Sequence, residues 1–373
     1  MITREVALEK VQRALSDNQL DALVAVSPWN TVYTAGTSFL TQRTIPERLG
    51  MVVMTPNHEP VFIYCTIEEQ HVREESWVRE HRGYTEFADR PIEVLADVLR
   101  ELGAAGGKVG IEKRFLVAQN YDELQELLPD AELVPADAVF DRMRAVKTAE
   151  EIQWLEQTAL WTDAAIRTAF AMAKIGDSER QIADRMVEET RRHGASGILH
   201  LVVATGPNLV KVHNAPTEMR LESGAVLRTD FGMFWGPYVS DIARTAIVAP
   251  PRQDQIELYQ KLEDIHQAVI SAAKPGVLAS DLYHLCAQEF AKRDVGFTMP
   301  HIGHSIGLGV HEFPIIHPFN HYALEPGNVL MLEPLARGRD GFYHTEDMIV
   351  ITEDGYRILS RSADWGAPMV IYG

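Results

Sequence analysis

The stretch Val226–Val248, VLRTDFGMFWGPYVSDIARTAIV, decides how this chain is read. Two strand-like apolar segments, Val226–Phe231 and Asp241–Val248, flank Gly232–Tyr238, and each carries one aspartate, Asp230 and Asp241. Ten residues separate the two, so adjacent antiparallel strands joined by that connection bring the carboxylates together. An unpaired carboxylate buried among Val, Leu and Ile costs several kcal/mol unless it is paired, protonated or bound to a cation. Arg244 is a candidate partner for one aspartate but hardly for both.

Three later segments repeat the anomaly. His301–Glu312, HIGHSIGLGVHE, packs three histidines among three glycines, and glycine lets backbone approach a site closely. Val329–Pro334, VLMLEP, ends a buried-strand pattern on Glu333. Tyr343–Thr352, YHTEDMIVIT, leads from Glu346 into another apolar run. Taken singly, a strand aspartate reads as a turn or salt-bridge residue, and a histidine beside glycine as structural. Together Asp230, Asp241, His304, Glu333 and Glu346 supply four carboxylates and one imidazole. That donor set suits Mn²⁺, Co²⁺, Fe²⁺ or Zn²⁺ and is too charged for a closed structural zinc site. Four carboxylates nearly balance two dications, so two divalent metal ions sharing bridging carboxylates are expected. Such a pair lowers the pKa of water toward ~7 and polarises the carbonyl that the resulting hydroxide attacks. His301, His317 and His321 read as structural.

The bulk of the chain is consistent with a two-domain enzyme. It has 373 residues, and domains run to roughly 100–200 residues each. No run of ~18 apolar residues predicts a membrane span, and the charged N-terminus lacks the apolar centre of a secretory signal. Two cysteines, Cys65 and Cys286, are too few for a disulfide scaffold, and reduced thiols in the cytoplasm are the expectation. A net charge of −18 repels phosphate backbones, so nucleic acid is not an expected partner.

The first half alternates elements as a small α/β domain does: a helix from Arg4, a strand at Asp21–Val26, paired strands Leu49–Met54 and Pro60–Cys65, a helix from Ile92, a strand Lys108–Ile111 and a helix Tyr121–Leu128. Thr148 and Glu151 form a capping-box pattern that starts a long helix. The predicted boundary falls just before it, giving domains 1–147 and 148–373. Beyond it come a helix from about Ser178, strands around the two aspartates, two helices near Gln253–Ala273 and Ala279–Arg293, and a strand-and-loop region from His301.

With these residues assembled, the sequence resembles the pita-bread metallopeptidase family of Xaa-Pro dipeptidases, aminopeptidases P, methionine aminopeptidases and creatinase. The resemblance rests on Asp-x10-Asp, GHxxGxxxHE, both glutamates and the junction RAVKTAEEI, and covers nearly the whole chain. It implies an α/β creatinase/prolidase-type N-terminal domain and an α+β pita-bread catalytic domain. It also implies that all five residues are metal ligands, with Asp241 and Glu346 bridging and Mn²⁺ foremost among the metals. By the same resemblance His213 and His311 contact substrate and stabilise the tetrahedral intermediate, and a homodimer is expected. The expected activity is hydrolysis of a peptide-like C–N bond in an Xaa-Pro dipeptide or short peptide. The chain departs at His344, a candidate substrate contact, where prolidases and aminopeptidases P usually carry arginine. A histidine there weakens the inherited proline specificity, because it loses its charge near neutral pH and cannot make a forked contact. Alternatives are a creatinase-like hydrolase of a non-peptide amide or guanidino acid, a metal-dependent lyase like those acting on dimethylsulfoniopropionate, and a non-enzymatic binding protein, which typically loses such ligands. Trp29, Tyr33, Arg43 and Arg48 are candidate substrate contacts from the N-terminal domain; an arginine can clamp a carboxylate bidentately.

Overall fold

The computed structural model describes residues 2–45, 47–361 and 363–372. It forms two compact units, Met1–Arg144 and Ala145–Gly373. The division lies three residues before the boundary read from sequence. Residues 145–147 belong to the second unit because their backbone is built into it: Val146 bridges Asn328, Asn328 Nδ2 donates to the Ala145 carbonyl (3.0 Å), and the Lys147 amide donates to that of Gly327 (2.9 Å).

The first unit is a six-stranded mixed sheet of β1 (Ala22–Ala25), β2 (Met51–Met54), β3 (Val61–Cys65), β4 (Glu80–Tyr84), β5 (Lys108–Ile111) and β6 (Glu132–Pro135). Its order is β4-β3-β2-β1-β5-β6, with β2 antiparallel to both neighbours and the other pairs parallel. The segments ALVA, MVVM and VFIYC are apolar throughout because every residue in them is buried. The helix Pro28–Ala35 was not foreseen, although its signals are standard: Ser27 caps it, Pro28 occupies the first turn, and Gly36 closes it at φ +83°. Both cysteines are free and buried, and burial pushes the Cys286 thiol up to about 12. A disulfide-exchange reagent at pH 8 is therefore expected to titrate no thiol in the folded protein and two after denaturation; fast labelling of the native chain would contradict this burial.

The second unit contains β7 (Gly197–Thr205), β8 (Val226–Trp235), β9 (Tyr238–Val239), β10 (Ile242–Val248), β11 (Gly303–Ser305), β12 (Glu312–Ile315), β13 (Val329–Leu332), β14 (Leu335–Arg337), β15 (Phe342–His344), β16 (Asp347–Ile351), β17 (Tyr356–Ile358) and β18 (Met369–Ile371). One sheet has the order β18-β10-β8-β7 with β9 on β8, the other β12-β11-β13-β16-β17, and β14 pairs with β15. The helix Ala149–Met172 starts on the Thr148–Glu151 capping box, with both reciprocal hydrogen bonds made. The helices Gln253–Ala272 and Ala279–Lys292 supply Leu262, Ile265, Val269, Leu282 and Phe290 to a core shared with Leu330, Leu332 and Ile349 of the second sheet.

Two details differ from the sequence reading. β8 does not stop at Phe231 but runs on to Trp235, which pairs with Tyr238 across a turn at Gly236 (φ +61°). Arg244 partners neither site aspartate. Its guanidinium, fully buried, joins Asp163 (2.7 Å) and Asp347 (2.8 Å) and donates to the Glu346 carbonyl. Among the described residues, no helix is long and apolar enough to cross a membrane.

Candidate metal centre

The five carboxylate and imidazole residues arrive from five separate pieces of chain. Asp230 lies within β8, opposite Ala243 of β10 and Val202 of β7. Asp241 directly precedes β10, His304 is the middle residue of β11, Glu333 directly follows β13 and Glu346 directly precedes β16. Polar groups stitch these ends together. The Glu346 amide donates to the Ala243 carbonyl (3.1 Å), and Thr245 of β10 exchanges two 2.9 Å hydrogen bonds with the backbone of His344.

The result is one dense cluster. Donor atoms of Asp241, His304 and Glu346 lie within 4.8 Å of one another, as do those of His304, His311 and Glu333. His304 Nε2 stands 3.7 Å from Asp241 Oδ2 and 3.5 Å from Glu333 Oε1. Atoms that share one transition-metal ion at ~2.1 Å lie at most ~4.2 Å apart, so both spacings fit a common cation. Asp241 Oδ1, His304 Nε2, Glu333 Oε1 and both Glu346 oxygens are buried without a hydrogen-bond partner. Buried polar atoms rarely stay unpartnered, and a set aimed at one place fits a bound cation.

The electrostatics agree. Burial, reinforced by the Asp241 and Glu333 carboxylates, raises Glu346 well above the usual carboxylate range. Burial also raises Asp241. Asp230 is buried as well, yet the imidazole of His200 holds it below that range. Glu333 is likewise held low against its burial, by His301 and His304.

The glycine-rich segment is shaped by what faces it. A Cβ on Gly303 would come within 2.1 Å of the Met331 carbonyl, so glycine is required where β11 closes on β13. Glu312 folds back to accept the amides of Leu308 (3.1 Å) and Gly309 (3.0 Å), and Lys147 Nζ reaches Glu312 Oε2 (3.1 Å) and Ser305 Oγ (2.8 Å). This arrangement presents His311, whose ring stacks on His304 with centroids 4.0 Å apart. Partial desolvation and the His304 ring bring His311 down to about 4, so it is neutral at pH 7.

The remaining candidates have surroundings of their own. His213 is exposed after a short 3₁₀ turn and makes no hydrogen bond or ring contact among the described residues. Its loop is anchored through Lys211 and Val212, whose carbonyls accept from Arg228 Nη2 (2.8 and 2.7 Å). His344 is buried, with Nε2 3.9 Å from Glu333 Oε2, and burial pushes it down to about 4. Tyr33 does not fit the substrate contact expected of it: it is buried in the core of the first unit, its hydroxyl donating to the Met143 carbonyl and accepting from Lys10 Nζ (both 2.9 Å). Arg48, largely covered, pairs with Glu86 at 2.7 Å and lies 3.8 Å from Glu68. Trp29 stacks edge-on against Phe115, and Arg43 is exposed on the helix Leu40–Thr44.

Two residues of the cluster were missed. His301, read as structural, lies 3.4 Å from Glu333 Oε1 and edge-on to His311. His200 was passed over inside its strand. Its Nε2 lies 2.8 Å from Asp230 Oδ1 and 2.9 Å from Asp241 Oδ1. A polar residue in LHLVVA was the one available signal.

Comparison with known proteins identifies the family. Residues 153–353 match the profile of metallopeptidase family M24, and residues 8–146 that of the creatinase/prolidase N-terminal domain. The chain is 28% identical over 369 residues to an Xaa-Pro dipeptidase of Lactobacillus helveticus, covering 95% of this chain and 96% of that protein. It is 29% identical over 361 residues to an uncharacterized peptidase of Bacillus subtilis, covering 95% and 98%. Its fold is that of an Xaa-Pro dipeptidase from Bacillus anthracis (TM-score 0.87, 24% identity, 98% and 99% covered) and of the prolidase from Pyrococcus furiosus (TM-score 0.81, 24% identity, 95% and 100% covered).

Proposed function

Since the chain belongs to metallopeptidase family M24 and carries a creatinase/prolidase N-terminal domain, we propose that its cluster holds two divalent cations and hydrolyses the C–N bond of an Xaa-Pro dipeptide or short peptide. The observation that carries this reading is the set of buried, unpartnered donor atoms of Asp241, His304, Glu333 and Glu346 converging from both sheets. Asp230, Asp241, His304, Glu333 and Glu346 would hold the ions. Once bound, such ions supply acidified water and a polarised carbonyl.

The other residues set up that chemistry. His311 is neutral at pH 7, so one ring N–H is available to charge developing on the carbonyl oxygen. His213, on the loop anchored by Arg228, is the second donor in this reading. Lys147 and Glu312 hold the backbone between His304 and His311, which fixes the spacing of ligand and donor.

The Xaa-Pro dipeptidases among the relatives support a proline dipeptide as substrate, and His344 weighs against it. That residue is buried and uncharged at neutral pH, so it offers no forked cationic contact to a peptide carboxylate. The specific second reading is hydrolysis of another small amide at the same metal centre. A panel of Xaa-Pro dipeptides, longer Xaa-Pro peptides and small N-acyl or guanidino acids separates the two. Turnover of the proline dipeptides that chelation abolishes and Mn²⁺ or Co²⁺ restores is expected. Metal-dependent turnover of the other amides alone would overturn the substrate, and full activity in metal-stripped protein would overturn the mechanism.

A further inference from the structure

The centre has a donor beyond the five, and its placement is built rather than incidental. β7 and β8 pair in register from Thr205 to His200, where the pairing slips between Ile198 and His200. Such an irregularity re-aims a side chain. It lays the His200 ring across Gly232, the residue opposite. A Cβ on Gly232 would sit 2.5 Å from His200 Cε1 and 2.5 Å from the Ser240 carbonyl, so only glycine leaves room for the ring. The ring thereby reaches over β8 to the two aspartates that the sequence places eleven residues apart.

The contact is not explained by hydrogen bonding alone. Nε2 of a histidine carries at most one proton. That atom lies 2.8 Å from Asp230 Oδ1 and 2.9 Å from Asp241 Oδ1, oxygens of different residues. Its hydrogen bond goes to Asp230, and Asp241 Oδ1 is left buried without one. A cation has no such limit, because it accepts a lone pair from each of the three atoms. Neighbouring ligands at ~2.1 Å from one ion with ~90° between them are ~3.0 Å apart, close to both measured spacings.

Resting on the two-cation reading above, we propose that His200 is a sixth protein ligand of the centre, binding through Nε2 the cation that Asp230 and Asp241 hold on the β8 side. The centre would then carry one imidazole on each side, His200 from the first sheet and His304 from the second. A nitrogen donor in place of an oxygen favours Zn²⁺, Co²⁺ or Fe²⁺ over Mg²⁺ or Ca²⁺ at that position.

The test uses the full-length protein, the variants His200→Ala and Asp241→Asn, and Co²⁺ or Mn²⁺ as the probe. Because His200 is partly exposed, its replacement by alanine is expected to leave the circular dichroism spectrum unchanged. In Co²⁺-loaded protein, each directly bound imidazole gives one strongly shifted, exchangeable N–H proton resonance. Two such resonances are expected in the parent and one in His200→Ala, together with at least a ~10-fold rise in the weaker of two Mn²⁺ dissociation constants by titration calorimetry. A single shifted resonance in the parent, or Mn²⁺ binding by His200→Ala within twofold of the parent, overturns the role of His200. In either case, loss of Mn²⁺ binding in Asp241→Asn leaves the metal centre standing. Parent-like Mn²⁺ binding by Asp241→Asn removes the centre itself.

Discussion

Glu346→Gln is expected to weaken Mn²⁺ binding by more than ~100-fold and to abolish turnover at micromolar metal. Loss of an outer-shell partner costs ~10–100-fold in metal affinity, and a direct ligand, the role proposed for Glu346, counts for more. Both Glu346 oxygens are buried and unpartnered, so no other protein group compensates for the lost charge. The fold has no reason to suffer. Its backbone amide still donates to the Ala243 carbonyl, and an amide side chain is cheaper to bury than a carboxylate. A variant that melts with the parent but binds and turns over as the parent does would remove Glu346 from the centre.

The same residue predicts a pH dependence with a definite sign. Burial and the neighbouring Asp241 and Glu333 carboxylates raise Glu346 well above its unfolded value of ~4.3. A raised carboxyl makes the metal-free fold more stable toward acid, because the protonated form is the one the site tolerates, and that contribution is lost as pH rises through the folded value. A cation requires the ionised form and must expel the proton. The increment in Tm conferred by a fixed Mn²⁺ concentration is therefore expected to shrink as pH falls from 8 to 6. An increment that is flat, or grows toward acid, would contradict the assignment.

Lys147→Met is expected to have the largest effect on stability. Lys147 and Glu312 are an ion pair whose side chains are each 2% exposed. Removing one partner of a buried ion pair costs ~3–5 kcal/mol. For a unit of this size each kcal/mol is worth ~2–4 °C, so a fall of ~6–20 °C in Tm is expected. Adding Glu312→Gln should recover part of the loss, since a neutral amide no longer needs the ammonium. Activity is expected to fall in both variants, because the residue 312 side chain that accepts the amides of Leu308 and Gly309 loses the ammonium that holds it in place between His304 and His311. A Lys147→Met protein that melts within ~2 °C of the parent would mean that water or another cation serves Glu312.

From the residues alone, many of the elements and five candidate donors were legible, though not the helix Pro28–Ala35 or His200. Asp230, Asp241, Glu333 and Glu346 were legible because each breaks an apolar strand pattern, and a charge in such a place has few physical explanations. The Thr148–Glu151 cap was legible for the same reason of locality: the bonds that define it span three residues. Tertiary structure decided everything that depends on which strand lies beside which. Arg244 turned away from both aspartates to Asp163 and Asp347, 81 and 103 residues distant. Lys147 found Glu312 across 165 residues. Tyr33 went into a core because Lys10 and the Met143 carbonyl met its hydroxyl there. His200 is the sharpest case. Its polarity within LHLVVA suits a half-buried strand residue equally well. Its approach to two aspartates exists only because a slip in pairing and the bare face of Gly232 bring the ring across the neighbouring strand. Residue type fixes what a side chain can donate, and only the register of the strands fixes to whom.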